Sequence, residues 1–171
     1  MKLYLLRHGL AAERGPQGIE NDARRPLTPK GRRQLCKIAA ALGILKLRFD
    51  MILSSPLVRA RQTAEIVAAR MKLKKSLLVA EALSPGGSAK NLVANILALK
   101  PLPKTLLIVG HEPDMGKLIS LLVTDKTSAG FSLKKAGLAK LEVNSLRAGQ
   151  CATLAWLMTP AQMKLLAERK K

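Results

Sequence analysis

Aromatic side chains are nearly absent from this chain: Tyr4, Phe49, Phe131 and Trp156 make up 2% of its 171 residues. Proteins that bind single-stranded nucleic acid stack bases on aromatic platforms, so this scarcity argues against that class. Cysteine is scarcer still. Cys36 and Cys151 lie far apart, and neither has a second Cys or a His beside it. This excludes a disulfide framework and a zinc motif, and the expectation is two reduced core thiols. Long apolar runs are also missing. Stretches such as Thr105–Val109 and Leu118–Val123 are far short of the roughly 20 residues that span a bilayer. The apolar run Leu3–Leu6 ends at Arg7, short of the roughly 7–15 residue core of a signal peptide. The expectation is a cytoplasmic protein with no membrane partner.

Acidic residues are the remaining scarcity. Asp and Glu total 11 against 30 Lys and Arg, for a formal charge of +19 and a pI near 10.7. The charge alone points to nucleic acid, but the aromatic poverty points away, and a nucleic-acid partner is not expected. The excess is not one block: residues 1–75 carry 17 basic and 5 acidic side chains, and residues 76–171 carry 13 and 6. It reads as a solvated surface, or as one that attracts anionic partners. No Asp/Glu cluster is spaced to hold a catalytic metal, and neither a Gly-x-x-x-x-Gly-Lys-[Ser/Thr] loop nor a Gly-x-Ser-x-Gly elbow is present, which disfavours a nucleotide motor and an α/β-hydrolase. No cofactor is implied.

What is present is an ordinary globular composition, 48% hydrophobic and 24% charged, of a length that fits one domain over residues 1–171. Leu3–Leu6 reads as a strand, and residues 10–27, with Gly15, Pro16, Gly18, Asn21, Asp22 and Pro26, as a loop. Thr28-Pro29 supplies a cap and a first-position proline for a helix to about Gly43. Met51–Leu53 is a short strand, and Ser54-Ser55-Pro56 gives a second cap-and-proline start for a helix to about Met71. Leu77–Val79 is a weak strand, Ser88 caps a helix to about Leu99, and Thr105–Val109 is the clearest strand. Pro113 opens a helix to about Val123. Leu138–Asn144 and Cys151–Leu157 alternate as an antiparallel pair, and Thr159-Pro160 starts a last helix that ends in Arg169-Lys170-Lys171. This alternation predicts an α/β, three-layer fold: a mostly parallel sheet flanked by helices, with a terminal antiparallel strand pair.

The chain's two histidines, His8 and His111, each follow a strand and sit beside a glycine. In open α/β sheets, ligands bind beyond the carboxyl ends of the strands, which puts both imidazoles at the functional edge. Arg7 precedes His8. Arg59 lies about one turn into the second helix, where free N–H groups favour anions and a guanidinium fork suits phosphate oxygens. Arg61, two residues on, projects roughly 200° away around the helix, toward solvent. What remains is metal-free chemistry on an anion, with imidazole as the nucleophile.

Leu6-Arg7-His8-Gly9 resembles the signature of the histidine phosphatase superfamily, which includes the cofactor-dependent phosphoglycerate mutases. Arg25-Pro26-Leu27-Thr28, Ser55-Pro56 with Arg59-Ala60 and Gln62-Thr63, Glu81-Ala82-Leu83-Ser84-Pro85 and Gly110-His111-Glu112-Pro113 resemble its small bacterial SixA-type branch of phosphohistidine phosphatases, in order. The resemblance implies a phosphoglycerate mutase-like fold and makes His8 the nucleophile that becomes phosphorylated. Arg7, Arg59 and His111 would complete a pocket open to phosphate or sulfate, Arg25 would assist, and Glu81 stands where many relatives carry a proton donor. Leu10 departs from the pattern, in which a polar residue often follows Arg-His-Gly. With 29 residues between Glu81 and His111, there is no room for a helical lid, and the open site suits a phosphorylated protein in signal transduction. A broader phosphomonoesterase on small esters and a non-enzymatic, basic polyanion-binding module are the competing readings.

Overall fold

The computed structural model describes residues 1–15, 18 and 21–168. Its frame is one six-stranded sheet: β1 (Lys2–Arg7), β2 (Met51–Ser54), β3 (Leu77–Val79), β4 (Thr105–Gly110), β5 (Leu138–Val143) and β6 (Ala152–Met158). The spatial order is β3-β2-β4-β1-β5-β6. The first four strands in that order run parallel, and β5 and β6 close the sheet as antiparallel neighbours.

Five α-helices cover both faces: α1 (Pro29–Ile44), α2 (Val58–Met71), α3 (Ala89–Leu97), α4 (Asp114–Thr124) and α5 (Pro160–Glu168). Residues alternate along each strand, so successive side chains serve opposite layers. Tyr4, Leu6, Ile52, Leu107 and Val109 pack with α1, α2 and Met163 of α5. Leu3, Leu5, Leu53, Leu106 and Ile108 pack with α3 and α4. The inner strands are therefore buried on both faces, as a parallel sheet between helical layers requires.

The helix starts show how local sequence places the site. Thr28 caps α1 as its spacing predicts: its hydroxyl accepts from Gly31 N–H at 3.0 Å, with Pro29 in the first turn. The expected start of α2 at the Ser54-Ser55-Pro56 cap is displaced. The helix begins at Val58 behind Leu57, with no side-chain cap; the Ser55 hydroxyl lies before it, accepting from Leu57 N–H at 3.3 Å and bonded to His111. Arg59 thus stands in the first turn rather than a full turn in. The two thiols also differ from expectation. Cys151 is buried, but Cys36 is exposed, on the outer side of α1 opposite Leu35 and Ile38. Pro16 of the long loop and the Arg169-Lys170-Lys171 end lie outside the described residues.

Candidate active site

Three adjacent parallel strands deliver the site to one sheet edge. β1 pairs with β4 so that Arg7 lies opposite Gly110, and His8 N–H donates to the Gly110 carbonyl at 3.1 Å. On the other side of β4, Ser55 N–H donates to the Val109 carbonyl at 3.0 Å. The residues just past β1, β4 and β2 therefore converge: His8, His111 and Ser55. The imidazole centroids of His8 and His111 are 5.1 Å apart, and both side chains are buried.

The geometry fixes the state of His8. Its Nδ1 lies 2.7 Å from the Gly9 carbonyl, which only accepts, so Nδ1 carries the proton and Nε2 carries the lone pair. Arg59 Nε donates to that Nε2 at 3.3 Å. Gly9 is held in turn: its N–H donates to Thr63 Oγ at 3.1 Å, and Thr63 Oγ donates to the Arg59 carbonyl at 2.7 Å. A Cβ at Gly9 would approach Leu35 to 2.7 Å, which explains the glycine after the histidine. Arg7 donates to the Leu133 carbonyl at 2.7 Å, while its Nε is buried without a partner among the described residues.

The remaining candidates divide. Arg25 does not contact either histidine. It donates through Nε to Ala12 O at 2.7 Å and through a terminal nitrogen to Asp22 Oδ1 at 2.7 Å. It joins the cluster only through Asp22, whose Oδ2 accepts from Arg59 at 2.9 Å and whose carbonyl accepts from Arg59 at 2.7 Å. Glu81 follows β3 at the same edge, but it is exposed. Its recorded partner is the Ser84 hydroxyl, which donates to it at 3.4 Å. Arg61 faces solvent beside Glu65 at 3.8 Å.

The matching relatives decide the family. Residues 3–83 match the model of the histidine phosphatase superfamily, branch 1. The phosphohistidine phosphatase SixA of Escherichia coli is 29% identical over 166 residues, which are 96% of this chain and 98% of that protein. A solved structure of the protein histidine phosphatase SixA with tungstate superposes with a TM-score of 0.80 at 27% identity, covering 95% of this chain and 99% of that one. An uncharacterized protein of Picosynechococcus sp. is 40% identical over 148 residues, which are 86% of this chain and 88% of that protein. The chain belongs to the histidine phosphatase superfamily. Its likeness within that family is to the SixA type.

Several parts of this histidine phosphatase site escape a reading of sequence. Asp22 opens a single 3₁₀ turn, Asp22–Arg24, and little in its local sequence marks it as the carboxylate that two arginines share. Ser55 looks like a helix cap but bonds His111 Nε2 at 2.8 Å. Glu112 follows His111 and accepts from Leu133 N–H at 2.6 Å and from Gly116 N–H at 3.2 Å. It thereby clamps the backbone whose carbonyl holds Arg7. The spacing of Asp22 and Arg25 as an i, i+3 pair is the one signal available for Asp22.

Electrostatics keep both imidazoles neutral. Burial, helped by His111, Arg59 and Arg7, lowers the His8 pKa to about 3 against the opposing hydrogen bond to the Gly9 carbonyl. Burial, with Arg59 and Arg7, lowers that of His111 to about 4, Asp22 opposing. Burial would raise the Asp22 carboxyl, but its hydrogen bonds and charge pairing with Arg59 and Arg25 outweigh it and hold the group below its ordinary value. A depressed histidine pKa means the unfolded chain binds protons that the folded one refuses, so the two histidines cost stability as pH falls below about 6.5. Since these are the only histidines, their ring C–H resonances are a clean probe. Neither should titrate between about pH 8 and pH 5 in the ligand-free protein, where ordinary histidines titrate fully. A midpoint near 6.5 for either would contradict this electrostatic picture.

Proposed function

We propose that this protein is a metal-independent phosphohistidine phosphatase that removes phosphate from a phosphorylated protein through a phosphoenzyme on His8. The observation that carries the reading is the state of His8: neutral, with its Nε2 lone pair set between arginine and histidine at a sheet edge. The chemistry runs in two displacements. His8 Nε2 forms a bond to phosphorus as the bond from phosphorus to the substrate's imidazole nitrogen breaks. The leaving nitrogen keeps the electron pair of that bond and, with the other ring nitrogen already protonated, the ring departs as neutral imidazole. Water then attacks the phosphorus on His8, which regains its lone pair as inorganic phosphate departs.

Phosphoryl transfer needs positioning and positive charge more than covalent assistance. Arg59 and Arg7 would supply the charge, with Arg59 surrendering its bonds to Asp22 for phosphoryl oxygens and Arg7 offering its unpartnered Nε. Arg25 would tune the site through Asp22. The exposed Glu81 would be the proton donor, if one is needed at all. An imidazole leaving group has a conjugate acid of pKa about 6.5, so it departs with little acid assistance, whereas a serine alkoxide does not. The exposed, loosely held Glu81 is therefore better matched to phosphohistidine than to phosphoserine.

The test is kcat/KM for a phosphohistidine protein, a phosphoserine peptide and small phosphate esters, in EDTA, at low and high salt. The phosphohistidine protein should be preferred, with turnover unaffected by chelation. Raising salt should raise KM for the protein substrate more than for the esters, because the basic surface acts over about 8–10 Å and salt screens it. A sugar phosphate or nucleotide that outperforms every phosphohistidine protein would establish the broader phosphomonoesterase instead. Polyanion binding without turnover would establish the binding module.

A further inference from the structure

We infer that Ser55 is a positioning residue that fixes His111 as the Nδ1–H tautomer, making it a neutral hydrogen-bond donor to the phosphoryl oxygens. The argument is a count of protons. Ser55 Oγ has two partners: His111 Nε2 at 2.8 Å and Leu57 N–H at 3.3 Å. The Leu57 amide only donates, so it takes a lone pair of the hydroxyl. Ser55 is fully buried, and its own proton has no acceptor among the described residues except His111 Nε2. Were Nε2 protonated instead, the hydroxyl would face two donors and its proton would be stranded in the interior, which costs the desolvation of an unmade hydrogen bond. The hydroxyl therefore donates to Nε2, and the ring proton resides on Nδ1.

That Nδ1 is buried and has no partner among the described residues. Buried polar atoms are normally paired, and an orphan beside His8 is a donor kept for a ligand. Arg7 Nε is likewise buried with no partner among the described residues, so the residue beside the nucleophile in sequence offers a second free N–H. His111 can then stabilise charge on the oxygens without being protonated, in a site whose arginines oppose a third cation.

The donor role rests on the phosphatase reading, but the tautomer does not, and the experiment separates them. The ring ¹⁵N shifts of His111 are recorded at neutral pH in the ligand-free protein, with and without inorganic phosphate. The expected pattern is a protonated Nδ1 and a bare Nε2, with the Nδ1–H proton moving downfield as phosphate binds. In Ser55→Ala, part of the population should move to Nε2–H, and kcat/KM for a phosphohistidine protein should fall about 10- to 100-fold, the size of one charge-assisted hydrogen bond. A protonated Nε2 in the wild-type protein, an Nδ1–H proton indifferent to phosphate, or a Ser55→Ala spectrum identical to wild type would overturn the inference. A protonated Nδ1 that responds to phosphate in a protein with no phosphatase turnover would leave this inference standing and remove the activity.

Discussion

Replacing His8 by alanine should reduce turnover by about 10⁴–10⁶-fold, the loss seen when a covalent nucleophile is removed from a site that acts as a unit. Nothing nearby can substitute. His111 has its Nε2 bonded to Ser55, and its pKa of about 4 keeps it neutral. Cys151 is buried near the far end of α4, where its N–H bonds the Leu122 carbonyl, and Cys36 lies on the outer side of α1. The hydroxyls of Ser55 and Thr63 are both bonded within the protein. His8→Asn, which keeps a side chain that can bond the Gly9 carbonyl, should be equally inactive while holding the loop in place. Circular dichroism and thermal melting separate loss of chemistry from loss of fold. A variant that keeps its fold and turns over at the wild-type rate would refute the mechanism.

Arg59→Ala should lower kcat about 10²–10³-fold, whereas Arg61→Ala should change it by no more than about twofold. Both are arginines on one helix, two residues apart, and the contrast is purely one of direction. Arg59 is buried and spends three donor groups within the site: on His8 Nε2, on the Asp22 carbonyl and on the Asp22 carboxylate. A phosphoryl group entering beside His8 competes for those donors, and its charge is greatest in the transition state. Arg61 is exposed, and its loose approach to Glu65 at 3.8 Å is a surface pair of small energetic weight. Arg59→Lys should recover little, since an ammonium cannot reproduce the fork that spans the nucleophile and the anion. Removing Arg59 also leaves Asp22 facing Arg25 alone, so Asp22→Asn in the Arg59→Ala background should have less effect than in wild type. Equal losses from Arg59→Ala and Arg61→Ala would place the phosphate elsewhere on α2.

The sheet was legible because its strands are strongly apolar and its helices carry their own punctuation. Thr105–Val109 and Leu3–Leu6 have the continuous apolar character of strands buried on both faces, and Thr28-Pro29, Ser88 and Thr159-Pro160 mark helix starts at or within a residue of the structure. The two histidines were legible for the same reason: a residue just past a central parallel strand has to lie at the sheet edge. What sequence did not show was competition for a single group. Ser55 satisfies every local rule for a helix cap and also serves otherwise, because a buried imidazole 56 residues away in sequence lies 2.8 Å from it in space. Asp22 and Glu112 are invisible for a related reason: their roles depend on Arg59 and Leu133, which only the folded sheet brings near. Cys36 went astray because a thiol's burial preference says nothing about which side of an amphipathic helix it occupies.

The central claim is that phosphate passes through His8. It is tested most directly by quenching the protein within its first turnovers on a ³²P-labelled phosphohistidine protein and mapping the labelled peptide. The account predicts label on His8 that is lost in acid and kept in alkali, as a phosphoramidate requires, and absent from His8→Asn. Label on another residue, or steady turnover with no labelled enzyme under conditions where hydrolysis of the intermediate is slow, would contradict it.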